Sequence, residues 1–594
     1  MAEALISPGV FLRENDQSQI TQGPVTVGAA LVGPTVVGPQ NIPTVVTSYS
    51  QYKAVFGTTF LSGGLNYEYL TSLAAYNYFQ QGGNSLLVTR VTSGSYTPAV
   101  STPIPTQGGI GFPSFELETL SVGAQLNNDA NAANAVNGIL PSGSASNIRW
   151  EISQVDSGSG LFTLLIRRGD DYQNSKTILE TWSNISLDPN QGNYISYVIG
   201  DQKQTLLTDE FGSSYLQTTG NYRNASNYVR ISNVYMPTPG YLNPQGQPYA
   251  YYTGSLPIRG SGSYSGAFKN ATGPLFGCLS STTNKATAAL NMYENIPTTT
   301  ADADVRNTQG LRASDYDAAL NLLKNKDDYD YNVIFVPGLT SQNASSQIST
   351  LLSNTQDRGD AIAVVDTVGY GQSITTTIAQ AQGYDNSYGA TYWPWVELRS
   401  PETGKLVYVP ASAIVPAVYE YNDKVSAEWF APAGINRGGL PTVLQPERRL
   451  TVGQRNLLYS GKVNPIATFP GVGTVVYGQK TLQARASALD RVNVRRLLIA
   501  LKRYIGNIAE TLVFEQNTAV TRNKFLSQVN PYLEFVQQKQ GLYAFRVVMD
   551  DTNNTPDVID RNILVGAVYL QPTRTAEFIQ LDFNVLPTGA TFAQ

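Results

Sequence analysis

The stretch NVIFVPGLTSQNASSQISTLLSNTQDRGDAIAVVD, residues 332–366, decides the fold class. Its apolar runs at 332–336 and 361–366 flank helical spacing near 347–352, so it reads as two buried strands joined by a helix. Strands alternating with helices build a largely parallel α/β sheet. Outward from this core the pattern adds a helix over 315–323 upstream, then a helix over 373–381 and the segment 392–398 downstream. The same alternation occurs near the start of the chain, with a buried strand at 27–33, helices at 50–56 and 67–79, a stop at Gly82-Gly83 and a strand at 85–91. Residues 96–296 differ. They are rich in Gly, Ser, Thr, Asn and Tyr and carry short strands such as 161–167 and 194–199. The sequence thus predicts one α/β domain, residues 27–95 and 297–425, split by a β-rich insertion at 96–296. Within the insertion the Tyr-, Pro- and Gly-dense stretch 235–275 reads as a surface loop or outer lobe.

Residues 426–586 read as a separate C-terminal α+β unit, so the fold class is multidomain α/β and α+β. Asn464-Pro465-Ile466 opens into the Gly-rich run Phe469-Pro470-Gly471-Val472-Gly473, a turn rather than a phosphate loop because no Gly-Lys-Ser/Thr ending follows. A helix over 487–513 then carries Val494, Leu497, Leu498, Leu501, Tyr504, Ile505, Ile508 and Leu512 on one stripe. Its other faces are basic: Arg485, Arg491, Arg495, Arg496, Lys502 and Arg503 against the single acid Asp490 give a local +5 inside a chain of −5. Such a run is either a solvated helix face or an attachment surface for an acidic partner. A second helix (524–540) stops at Gly541 and a strand (543–549) follows. Asp550-Asp551-Thr552-Asn553-Asn554 lacks the spacing of a calcium loop and reads as an Asx-rich turn. Near the end, Ile579, Leu581, Phe583 and Val585 alternate with Gln580, Asp582 and Asn584, a half-buried strand followed by a short arm, 587–594. Residues 1–26 form a matching extended arm whose strand is Val10, Phe11 and Leu12.

Composition removes several function classes. The 594 residues contain no histidine, which excludes Ser-His-Asp and Cys-His chemistry and the commonest metal ligand. The single Cys278 excludes an intramolecular disulfide or a Cys-based zinc site and reads as a small core residue. No catalytic, cofactor-binding or metal-binding set is assigned. A net charge of −5 gives no global attraction to nucleic acid. No apolar run is long enough to span a bilayer, and the first residues lack the pattern of a secretory signal. Only 14% of residues are charged, well below the usual ~25%, and such a surface suits packing against copies of itself.

Ordered short motifs at both ends resemble the contractile tail sheath proteins of myophages. They are Ser7-Pro8-Gly9-Val10, Val32-Gly33-Pro34 with Gly38-Pro39, the 46–57 stretch, Gly389-Ala390 to Tyr392-Trp393-Pro394-Trp395, and Trp429-Phe430-Ala431-Pro432-Ala433-Gly434. Asn464-Pro465-Ile466, the 489–500 stretch, Phe514-Glu515-Gln516-Asn517, and Asn553-Asn554 with Gln571-Pro572 complete the set. The resemblance covers roughly residues 1–95 and 300–594, and within the insertion only 148–200. It implies a non-enzymatic, cofactor-free virion protein, made in the host cytoplasm, whose copies form stacked hexameric rings around a tail tube. Contraction of the stack would drive the tube through the host envelope. Implied partners are other copies of the chain, the tail tube protein, and baseplate and tail terminator proteins, with no nucleic acid and no membrane insertion. Val10, Phe11, Leu12, Ile579, Leu581, Phe583 and Val585 would then link subunits by strand addition, and Arg491, Arg495, Arg496, Lys502 and Arg503 would face the tube. Two alternatives stay open: the sheath of a bacteriocin or secretion-type system, and a virion adhesin or glycan-binding protein built on the insertion.

Overall fold

The computed structural model describes residues 27–62, 65–92, 98–101, 103–109, 111–122, 148–210, 212–265, 311 and 313–578. The N-terminal strand at Val10, Phe11 and Leu12, Cys278, and the C-terminal pattern of Ile579, Leu581, Phe583 and Val585 with its arm lie outside the described residues.

Eight strands make the central sheet, in the order Thr44–Val46, Leu86–Arg90, Val27–Gly33, Tyr331–Thr340, Ile362–Asp366, Gly389–Trp393, Asn464–Phe469, Gly473–Val476. The inner six run parallel and the two outermost are antiparallel. Because a parallel sheet is covered on both faces, its strands are apolar at every position rather than alternately. Ala29, Leu31, Val333, Phe335, Ile362 and Val364 point into one core beneath the helices Tyr49–Phe56, Leu70–Gln80 and Val415–Val425. Their neighbours Ala30, Val32, Ile334, Val336, Ala363 and Val365 point into the other, beneath Ser345–Arg358, Ile374–Gln382 and Val452–Ser460. The helix Ser345–Arg358 ends where Gly359 takes a left-handed conformation (φ 72°) and its N–H donates to the Thr355 carbonyl, as helix C-termini commonly do.

The strands Asn464–Phe469 and Gly473–Val476 correct the expected boundary, since the α/β sheet runs past residue 425 to residue 476. The Gly-rich run between them is the hairpin turn, with Gly471 at φ 76° and Gly473 at φ 95°.

The insertion folds as an antiparallel sheet in the order Ile178–Ser186, Leu161–Arg168, Ile148–Asp156, Gly260–Ser265, Pro98–Ser101, Pro113–Val122, Val229–Val234. The segment 194–199, expected as a strand, is instead the short helix Ile195–Ile199 closed by Gly200 (φ 105°). A six-residue apolar run does not distinguish the two by periodicity. The insertion's core includes Val36, Val37 and Tyr69 of the α/β domain. Arg90, at the end of its strand, donates to the carbonyls of Gly38 (2.5 Å) and Val122 (2.6 Å) and so ties the insertion's long strand to the body.

A C-terminal unit follows, with its own small core of Leu497, Leu501, Leu512, Phe525, Val529, Leu533, Val536, Leu542 and Met549. It consists of the helices Val492–Glu510 and Ala519–Gln538 and a two-stranded antiparallel sheet, Leu542–Val548 with Ala567–Pro572.

Candidate assembly interface

The helix Val492–Glu510 lies between the two units. Val492 and Ile499 sit in the sheet-side core, while Leu497 and Leu501 sit in the C-terminal core. Its basic residues are largely used inside the chain. Arg496, 2% exposed, makes a two-pronged pair with Asp423 (2.8 Å from Nη1 to Oδ1) and lies 4.8 Å from the ring centroid of Tyr419. Arg495, 4% exposed, lies 4.0 Å over the ring of Tyr388 and donates to the Ser387 hydroxyl. Arg503 pairs with Asp330 at 2.6 Å. Arg491 pairs with Glu577 at 2.7 Å and with Asp490 at 3.0 Å. Lys502 alone among the five is exposed, with Nζ 3.3 Å from the Tyr388 hydroxyl.

The expectation of a basic face turned toward a partner is therefore corrected for Arg495 and Arg496. Both are buried, and a buried cation is held by its own carboxylate or aromatic neighbours rather than offered to another molecule. The partners that pull them inward come from remote segments, Asp423 and Tyr419 from the helix Val415–Val425 and Tyr388 from the loop before the strand Gly389–Trp393. This junction also holds Glu420, whose carboxyl is pushed up to about 7 by burial and by the nearby Asp423.

The two-stranded sheet is the least finished part of the described chain. Leu542, Phe545, Val547, Val568 and Leu570 pack toward the helices, while Tyr543 and Tyr569 are 65% and 62% exposed. Among the described residues neither strand has a second strand partner, so each presents one open edge. Two strands are marginal by themselves; packing on the helix Ala519–Gln538 retains them. The expected Asx-rich turn is present. Asp550 accepts from the Thr552 N–H at 2.9 Å. Asn554 donates to the carbonyls of Asp550 (3.0 Å) and Val565 (2.9 Å), fixing the crossover to the second strand.

Beyond this sheet the chain turns back onto the α/β domain. Thr575 Oγ1 accepts from Gln479 Nε2 at 2.6 Å. Glu577 then accepts from Arg491 Nε (2.7 Å), Gln479 Nε2 (3.0 Å) and the Tyr459 hydroxyl (2.8 Å). Phe578, the last described residue, is 84% exposed. Sequence reasoning found the strand near 543–549 and missed its partner Ala567–Pro572, Tyr388 and Glu577. The Val-Tyr-Leu alternation at 568–570 was the available signal for the strand; nothing local marks Glu577.

Residues 309–482 match the family model described as the phage tail sheath protein central domain, and residues 485–585 match the phage tail sheath C-terminal domain. The chain is 36% identical over 273 residues to the tail sheath protein of Vibrio phage KVP40, a match covering 44% of this chain and 38% of that protein. It is 41% identical over 185 residues to the tail sheath protein of Enterobacteria phage T4, covering 31% of this chain and 28% of that one. These matches thus span less than half of either relative's length. In structure, the chain is similar to a sheath tail protein from Listeria innocua, with a TM-score of 0.50 at 10% identity over 92% of this chain and 95% of that one, a likeness of fold alone.

Proposed function

We propose, starting from the fact that this chain belongs to the contractile tail sheath family of phages, that it is the sheath subunit whose copies stack as hexameric rings around a tail tube and contract to drive that tube through the host envelope. The observation that carries the reading is the two-stranded sheet Leu542–Val548/Ala567–Pro572, with an open edge on either side. An added strand supplies main-chain hydrogen bonds that need little from side-chain identity, which suits identical subunits linked in series. Each such bond contributes only about 1 kcal/mol net. An added strand also covers apolar surface, and the mesh is multivalent, so links hold while subunits rotate and slide.

In this reading Val10, Phe11 and Leu12 from one neighbour and Ile579, Leu581, Phe583 and Val585 from another fill the two edges. Lys502 is the remaining cation of its helix for a tube contact. Baseplate and terminator proteins meet the two ends of the stack, which assembles in the host cytoplasm and acts on the virion tail. The work of contraction is the difference between two packings of one sequence, the extended one being kinetically trapped. No cofactor enters this cycle.

The test is negative-stain electron microscopy of the purified chain, alone and with its tube protein, across salt and concentration. Striated hollow cylinders are expected. Monodisperse particles under every condition, with tube and baseplate present, would overturn the sheath reading.

A further inference from the structure

We propose that Glu577 is a positioning residue which holds the C-terminal segment away from its own sheet, leaving the strand pattern that begins at Ile579 for a neighbouring subunit. The proposal rests on the sheath reading above. The second strand of the sheet ends at Pro572, and residues 573–578 are all that separate it from Ile579. A link of six residues is only slightly longer than the usual hairpin loop. It would let residues 579–585 turn back along the open edge of Ala567–Pro572 in the same chain. So short a tether gives an effective concentration in the millimolar range, and self-pairing would outcompete a strand arriving from another subunit.

The described residues take the link elsewhere. Thr573 stays at the sheet, its N–H donating to the Gly541 carbonyl at 3.2 Å. Thr575 and Glu577 cross to the α/β domain, where Glu577 spends both carboxylate oxygens on three donors from three separate segments. Arg491 caps the basic helix, Tyr459 comes from the helix Val452–Ser460, and Gln479 lies after the strand Gly473–Val476. Lys480 Nζ, 4.5 Å from the Tyr459 ring centroid, adds a second positive charge to the clasp. Glu577, five residues past Pro572, is thereby fixed by partners that all lie outside the small sheet. With Glu577 held there, residues 575–577 are committed to the α/β domain and are not free to close as a hairpin loop on the edge of the sheet.

The test is hydrogen exchange, read by mass spectrometry on peptides covering 542–548 and 567–572, in full-length chain kept too dilute to assemble. Glu577→Ala should slow exchange in 567–572 about tenfold, as self-pairing protects the edge, and should raise the concentration needed for assembly by a similar factor. Removing residues 579–594 from the Glu577→Ala chain should restore the faster exchange. A purely structural role predicts the opposite sign, faster exchange on losing the clasp. Unchanged or faster exchange in Glu577→Ala would overturn the proposal, whether or not assembly changes. Failure of the wild-type chain to assemble would count against the sheath reading instead, and the exchange comparison would still decide the clasp. Thermal melts of Glu577→Ala and Glu577→Gln confirm that the compared chains are folded.

Discussion

The central sheet and the C-terminal sheet of this chain treat their edges in opposite ways. The central one closes each side of its six parallel strands with a short antiparallel strand, three residues at Thr44–Val46 and four at Gly473–Val476, and buries both faces. Short edge strands are a common means of blocking unwanted pairing. The C-terminal sheet has two strands of seven and six residues, and among the described residues both outer edges are open. The first sheet is complete within one chain. The second is supported by a helix but not enclosed, and in the proposed sheath neighbouring chains would complete it.

Substitutions that affect one sheet and spare the other test this contrast. Val364, 1% exposed in the middle of the central sheet, should not tolerate an aspartate: Val364→Asp buries an unpaired charge, costs more than ~5 kcal/mol and should leave the chain insoluble. Tyr569→Asp, at a 62% exposed position of the small sheet, should change subunit stability by less than ~0.5 kcal/mol in urea unfolding yet block polymerisation seen by electron microscopy. Equal damage to stability from both would break the comparison.

Next in size is the junction between the sheets. Arg496→Ala leaves Asp423 beside Glu420 without its cation and should cost about 3 kcal/mol in denaturant unfolding. A loss near zero would mean that the pair does not hold the C-terminal unit to the α/β domain.

A further effect comes from pH. Burial pushes Glu68, Asp366 and Glu420 each up to about 7, against hydrogen bonds from Ser400 and Ser72 to Glu68 and from Ser412 to Asp366. Folding raises these values, so the stability they contribute is full below their unfolded values near 4 and is lost as pH rises through about 7. The free energy of unfolding, and with it the melting temperature, should therefore fall between pH 5.5 and 8, the free energy by on the order of 2 kcal/mol per group. Asp366→Asn combined with Glu420→Gln should flatten the curve. All three groups lie in the α/β domain, so exchange protection in the small sheet should be the less pH-dependent. The smallest expected change is from Lys502→Glu. Stability should stay within ~0.5 kcal/mol, while co-sedimentation with tube protein weakens and loses part of its salt dependence.

Much of the α/β domain was legible in the sequence, because parallel strands buried on both faces leave continuous apolar runs. The run at 27–33 was placed without error and those at 332–336 and 361–366 within a few residues. Two failures have physical causes. The chain returns to the central sheet at Asn464–Phe469 after a small antiparallel sheet and the helix Val452–Ser460, and local pattern does not say which sheet a strand joins. The basic helix was recognised, but the inward direction of Arg495 and Arg496 depends on Tyr388 and Asp423, which no local spacing connects to them. At the candidate interface, one strand of the small sheet was readable and the clasp at Glu577 was not, since it gathers donors from residues 459, 479 and 491.

The most direct test of the central claim compares hydrogen exchange of 542–548 and 567–572 in assembled cylinders and in dispersed subunits. Completion of the small sheet by neighbouring arms predicts strong protection of both strands on assembly, with the central-sheet strand Ile362–Asp366 already protected in the subunit. Cylinders that form with the two strands still exchanging at the dispersed rate would contradict it.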